Sequence, residues 1–312
     1  MDKRLIYIDI AKGVAIFLVV FGHTMQYIAD NEGIIFKIIY LFHMPFFFML
    51  SGFLQRYNNK EYGIITKTKS LLIPYFFVGI IYSYFYRSPN EFIFSPFHAG
   101  YWFLLSLFSI WLIFKSMKYF IDRFAIHNIY LKVIIFLIPF LIHKLLINCI
   151  PSSLDNILSL GFTMSFYRFY ILGYFIPSLL DYDKLKSFFN IFISSLILIL
   201  AIFMYILNVK ISPTILQVLI CFSLFIIIKE IYVFNFIRTI SKEIAYWGRK
   251  TLNIYLFHYF IISLFHYDIN FLPNLIQVII NIVVSIFIIY ITILIQKPIE
   301  DNKKLSFIFL GK

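Results

Sequence analysis

Charged side chains are scarce in this chain. Asp, Glu, Lys and Arg make up 13% of its 312 residues, and only 15 residues are acidic. A soluble domain is about one quarter charged, so an ordinary water-exposed globule is excluded. Cysteine is nearly absent. Cys149 and Cys221 lie in or beside apolar segments and form no disulfide framework. No metal-ligating set is expected. Solenoid repeats and low-complexity linkers are missing. The first apolar stretch is too long and too charged for a cleavable signal peptide, and it lacks a small-residue cleavage site.

What the chain has in abundance is apolar surface: 62% of residues are hydrophobic, mean hydropathy is +0.89, and there are 40 Phe and 23 Tyr. Such an excess has to face lipid, where aromatic residues suit both core and interface. A helix needs about 20 mostly apolar residues to cross the hydrocarbon layer. Ten stretches qualify: 6–27, 34–54, 70–86, 100–120, 130–148, 164–180, 186–207, 213–229, 251–266 and 274–296. The stretch 231–247 is broken by Asn235, Arg238, Lys242 and Glu243. It reads as a cytoplasmic loop with room for an interfacial helix.

The loops test that count. With the N-terminus inside, the outer loops hold only Arg87, Lys144 and Lys210, while Lys12, Lys37 and Arg168 fall within spans or at their ends. The rest of the 27 basic residues lie on the inner side, as the positive-inside rule requires. The expectation is an all-α integral membrane protein of about ten transmembrane helices, both termini cytoplasmic. It forms a single domain over residues 1–312 with no additional soluble domain. The net charge of +12 is then a topology signal, and no nucleic-acid partner is expected.

Ionisable groups inside a membrane are costly and point to function. The first span reads IDIAKGVAIFLVVFGHT. Asp9 and Lys12 are three residues apart, share a face and can pair, which alone fits an interfacial, snorkelling pair. His23 lies eleven residues beyond Lys12, three turns plus about 20°, hence on the same face and about 16 Å along the axis. Ala15, Ile16 and Val19 lie between them. A cation, an apolar track and an imidazole suit a long thin ligand with an anionic head and a reactive tip, the shape of a coenzyme A thioester.

Other spans add to the set. FHMPFFFMLSGF places His43 near mid-membrane before Pro45, with Ser51 and Gly52 permitting close helix approach. TLNIYLFHYF places Tyr255 and His258 within the ninth span. A lone buried His is more often structural than catalytic. FYRFYILGY carries Arg168, which either grips a phosphate or carboxylate or makes a structural pair with Asp155. Lys67 and Lys69, before Pro74, serve topology by default and phosphate docking in the functional reading.

Six stretches in order, IDIAKGVAIFLVVFGHT, FHMPFFFMLSGF, KSLLIPY, YWFLLSLF, ILGYFI and TLNIYLFH, resemble the signature segments of the acyltransferase-3 family of bacterial integral membrane acyltransferases. The DIAKG…GH and FHMP versions look most like its fucose 4-O-acetylase branch. The resemblance implies transfer of an acetyl or other short acyl group from acetyl-CoA, as co-substrate and with no bound cofactor, to a hydroxyl of a cell-surface glycan or lipid-linked precursor. The setting it implies is the bacterial cytoplasmic membrane. His23 matches the residue regarded as catalytic. Lys12 stands where many members have arginine, and with Lys67 or Lys69 it would hold the phosphates. An R-x-x-R motif common before the third span is not intact, since residue 70 is Ser. Asp9, His43, Ser51, Trp102, Arg168, Tyr255 and His258 would support the base or shape the acceptor site. A transporter or flippase of lipid-linked sugars is the competing class, and a glycan polymerase fits the short outer loops poorly.

Overall fold

A computed structural model describes residues 5–27, 33–57, 63–179, 187–232, 238–265, 269 and 271–312. Lys3, Arg4, Lys60, Lys184 and Lys186 of the inner-side charge pattern lie outside the described residues. The described residues are helical throughout, with no strand among them. Eight helices are long and apolar enough to cross a membrane: Ile6–Tyr27, Ile34–Tyr57, Ile64–Tyr86, Trp102–Arg123, Ile129–Cys149, Phe189–Ile206, Pro213–Ile231 and Asn274–Asp301. Their first and last members are α1 (Ile6–Tyr27) and α14 (Asn274–Asp301), and the second is α2 (Ile34–Tyr57).

The remaining two expected spans differ from the rest. The sixth is α9 (Leu160–Leu179), whose 20 residues include Arg168 and three tyrosines, Tyr167, Tyr170 and Tyr174. The ninth is shorter than 251–266. Its helix, α13 (Thr251–Ile262), has 12 residues, about 18 Å at 1.5 Å per residue, against a hydrocarbon layer of about 30 Å. The stretch read as a loop with room for an interfacial helix holds α12 (Arg238–Arg249).

The chain forms two compact units. The first comprises Met1–Asn58 and Gly173–Gln296, and the second Asn59–Leu172 and Lys297–Lys312. In the first unit α1 is the hub, packed against α2, α12 and α13. Its closest neighbour is α12. A Cβ on Gly13 would collide with the backbone carbonyl of Ile244, and one on Gly248 with that of Asp9. The crossed pairing of 9 with 248 and 13 with 244 makes the two helices antiparallel. Glycine at both positions lets the backbones meet, the small-residue device of membrane helix packing. Trp247 of α12 stacks on Phe17 at 6.3 Å.

In the second unit α6 (Trp102–Arg123) packs on α7 (Ile129–Leu146) and α9, with Phe114 stacked on Phe136 at 5.0 Å and edge-on to Tyr170 at 5.5 Å. A π-helical turn, Thr68–Leu72, joins α3 (Ile64–Lys67) to α4 (Ile73–Tyr86), which begins with Pro74 in its first turn. Such turns recur at functional sites, and this one holds Lys69.

Candidate active site

The site is built around the last turns of α1. Gly22 precedes His23, and a Cβ there would sit 2.9 Å from the Tyr40 ring. Without it, Tyr40 of α2 closes on α1 and its hydroxyl reaches His23 Nδ1 at 3.0 Å. Tyr259 of α13 meets the other ring nitrogen, Nε2, at 2.9 Å. The Tyr40 hydroxyl also donates to Gln26 Oε1 at 2.9 Å.

These bonds fix the proton. A phenol has one hydrogen, and Tyr40 gives it to Gln26. The Tyr40 oxygen is therefore an acceptor toward His23 and must take Nδ1–H. A neutral imidazole has one N–H, so Nε2 carries the lone pair, and the Tyr259 hydroxyl donates to it. His23 is partly exposed.

Two more histidines surround this pair. The His258 ring is 5.3 Å from His23 at an interplanar angle of 26°. Its Nδ1 donates to the carbonyls of Tyr255 at 2.7 Å and Ile254 at 3.1 Å, which leaves Nε2 as acceptor. That atom is buried without a hydrogen-bond partner among the described residues. His43 Nδ1 donates to Ile39 O at 2.8 Å, and its ring lies 4.9 Å from Tyr40. All three imidazoles hold their proton on Nδ1. Thr24, the next residue of the GHT sequence, brings its hydroxyl to 2.9 Å from Ser285 of α14, tying that helix to the site.

The structure thus brings together His23, His43 and His258 of the expected set, with Tyr255 5.9 Å from His258. Ser51 spends its hydroxyl on its own helix, donating to Phe47 O at 2.9 Å. Asp9 is buried where α12 crosses α1, and Lys12 is one turn above it. The track between Lys12 and His23 is packed: Ala15 and Ile16 are 0% exposed and Val19 2%. The remaining expected residues belong to the second unit. Lys69 lies 5.9 Å over the Phe307 ring, while Lys67 closes α3. Trp102 stacks on Phe162 at 4.4 Å and Phe166 at 5.4 Å. Arg168 lies over Phe169 at 5.2 Å and Phe140 at 5.9 Å. Asp155 instead accepts from the Gly161 N–H at 2.9 Å.

Sequence reasoning missed Tyr40, Gln26 and Tyr259. The available signal was proximity to intramembrane histidines: Tyr40 is three residues before His43, Gln26 three after His23, and Tyr259 follows His258.

Stacked apolar helices, several of them long enough to cross a membrane, define a multi-pass membrane protein. The chain belongs to the acyltransferase-3 family, matching its acyltransferase domain over residues 5–294. It is 34% identical over 86 residues to nodulation protein NolL of Mesorhizobium japonicum, covering 24% of this chain and 23% of that protein. To nodulation protein NolL of Sinorhizobium fredii it is 44% identical over 59 residues, covering 17% and 16%. The chain thus aligns with less than a quarter of the length of these curated relatives. No solved structure matches it.

Proposed function

We propose that this membrane acyltransferase moves a short acyl group, acetyl foremost, from a cytoplasmic acyl-CoA to a hydroxyl of a cell-surface glycan or its lipid-linked precursor. The observation that carries the reading is the unprotonated Nε2 of His23, which already accepts a hydrogen bond from a hydroxyl, that of Tyr259. An acceptor hydroxyl takes that place. His23 Nε2 removes its proton as the oxygen attacks the thioester carbonyl. The tetrahedral intermediate collapses, the C–S bond breaks, and the imidazolium returns the proton to the departing thiolate. Tyr40 and Gln26 hold Nδ1–H throughout and stabilise the imidazolium as it forms. His43 and His258 line the acceptor side.

Lys12, about 16 Å from His23 along α1, is assigned to the donor's phosphates. The same role is proposed for Lys67 and Lys69 in the second unit, and acceptor contacts for Trp102 and Arg168. Asp9 sets the position of Lys12, and Ser51 and Tyr255 support the packing around the histidines. The orientation in the bacterial cytoplasmic membrane, both termini inside, follows from the charge distribution. The test is release of free CoA thiol from acetyl-CoA by the purified chain, with glycan mass spectrometry of producing cells. His23→Ala is expected to abolish both while leaving membrane insertion intact. Retained acetylation in that variant overturns the assignment.

A further inference from the structure

The nitrogen that takes the acceptor's proton is not vacant in the structure. Tyr259 of α13 holds it, hydroxyl to His23 Nε2 at 2.9 Å. The Tyr259 side chain is buried, and its ring lies 4.8 Å from that of His23 and 4.2 Å from that of His258. With 5.3 Å between the two imidazoles, the three rings are mutual neighbours. Their hydrogen bonding is unequal. His23 has both ring nitrogens engaged, Nδ1 by Tyr40 and Nε2 by Tyr259. His258 is fully buried, gives its Nδ1 proton to carbonyls of its own helix, and keeps an Nε2 lone pair without a partner among the described residues. An unmet acceptor in an apolar interior is costly, and this one belongs to the ring beside a phenol.

A general base beside a thioester activates any hydroxyl that reaches it, and water is the most abundant one. With water, Nε2 takes a proton as the oxygen attacks the thioester carbonyl. The C–S bond breaks, the proton passes to the thiolate, and acetic acid and free CoA leave. The acyl group is then lost to the glycan. Tyr259 stands where that water would stand. Exchanging one hydroxyl donor for another on the same nitrogen is close to neutral. A lone water therefore gains nothing by displacing a phenol that its own helix already holds there. A glycan adds the contacts of the rest of its sugar ring, and these tip the exchange. The displaced phenol then needs an acceptor, and His258 Nε2 supplies one.

We propose that Tyr259 decides between water and a glycan hydroxyl as acyl acceptor. Its hydroxyl caps His23 Nε2 until a glycan displaces it, and His258 Nε2 receives the displaced hydroxyl. The inference rests on the acyl-transfer reading above and deepens it. His23 is the base in both reactions, Tyr259 sets which one it serves, and His258 is a positioning residue that acts through Tyr259. The two are adjacent on α13, so one short helix carries both the cap and the place it moves to.

The experiment uses the full chain in lipid nanodiscs with acetyl-CoA as the only added substrate, and producing cells for transfer to their own glycans. Tyr259→Phe leaves a gap the size of one oxygen at Nε2, enough for a water. Its acceptor-free release of CoA thiol is expected to rise about tenfold over the parent, the equivalent of one hydrogen bond, while glycan acetylation in cells falls. Misfolding does not produce such a gain. Adding His23→Ala to Tyr259→Phe is expected to remove it. His258→Asn keeps a donor toward the Tyr255 and Ile254 carbonyls and lacks an acceptor at the Nε2 position. It is expected to lower glycan acetylation about tenfold, and His258→Gln, which restores an acceptor there, to recover most of the loss. Acceptor-free release in Tyr259→Phe at the parent's level overturns the cap, even where the parent acetylates its glycans. Equal losses in His258→Asn and His258→Gln overturn the role of His258. Extra release that persists without His23 overturns the cap and the base assignment together. A parent that acetylates nothing, with no thiol released by it or by Tyr259→Phe, sinks the acyl-transfer reading and the cap with it.

Discussion

α1 and α14 lie side by side in one unit and hide their chemistry in opposite ways. α1 displays its polar residues as charges and an imidazole, Asp9, Lys12 and His23, on a helix 61% buried over its most apolar window. α14 is only 28% buried over its own and holds no charge between Asn274 and Gln296. Its polar groups are amides and hydroxyls confined to one inward stripe. Average apolarity reports how much of a helix faces lipid, and it conceals a narrow polar line facing inward. The charged helix carries the imidazole, and the uncharged one is tied to it through the Ser285 and Thr24 hydroxyls.

That contrast can be broken at graded cost. His23→Ala has the largest expected effect, loss of acyl transfer by at least about a thousandfold, the range for removing a general base; the assay is CoA thiol release at saturating acetyl-CoA. Tyr40→Phe follows, with kcat lowered roughly thirtyfold, because Nδ1–H loses its acceptor and the proton becomes free to move to Nε2. Tyr259→Phe sharpens the distinction between the two phenols. It leaves the Nδ1 proton in place and is expected to lower kcat less than Tyr40→Phe; a larger loss would make Tyr259 part of the proton path. Gly22→Ala places a methyl 2.9 Å from the Tyr40 ring and is expected to act through that shift as a milder Tyr40→Phe, about tenfold in kcat. Ser285→Ala, on the α14 side, removes the bond to Thr24 and is expected to cost only about 0.6 kcal/mol, the average for hydrogen bonds between membrane helices. Its readout is the thermal midpoint, with little change in kcat.

Much of the fold was legible because lipid imposes simple rules. Span length and apolar content located eight helices long and apolar enough to cross, with ends within six residues. α13 was overextended because the apolar run LFHYFIISLF continues past the residue where its helix ends. α12 was read as a loop with room for an interfacial helix because Arg238, Lys242 and Glu243 break the apolar run. What makes it a helix against α1 is Gly248 meeting Asp9 and Gly13 meeting Ile244, pairings made across more than 230 positions of sequence. DIAKG was read as two charges, and its glycine proved equally informative.

The site divides in the same way. His23, His43 and His258 stand out because an imidazole is uncommon in an apolar helix, although a lone buried one is more often structural. Tyr40 and Tyr259 did not, since tyrosine is common in this chain and only the fold decides which of 23 phenols meets an imidazole. What covers the face between Lys12 and His23 was out of reach for a related reason. Helical spacing correctly puts Lys12 and His23 on one face, but what covers the face between them depends on neighbouring helices, and there Ala15, Ile16 and Val19 are packed. The polar stripe of α14 was visible in its spacing by fours and sevens, and the absence of charge drew attention away from it.

The claim on which the rest depends is that His23 offers a bare Nε2 while Tyr40 and Gln26 retain its proton on Nδ1. Solid-state NMR of the chain labelled with ring-¹⁵N histidine, with His23 signals identified by their loss in His23→Ala, measures this directly. The account predicts a protonated Nδ1 and an unprotonated, hydrogen-bonded Nε2 for His23, with Nδ1 losing its proton in part when Tyr40 is replaced by Phe. A His23 protonated on Nε2 in the parent protein would contradict it.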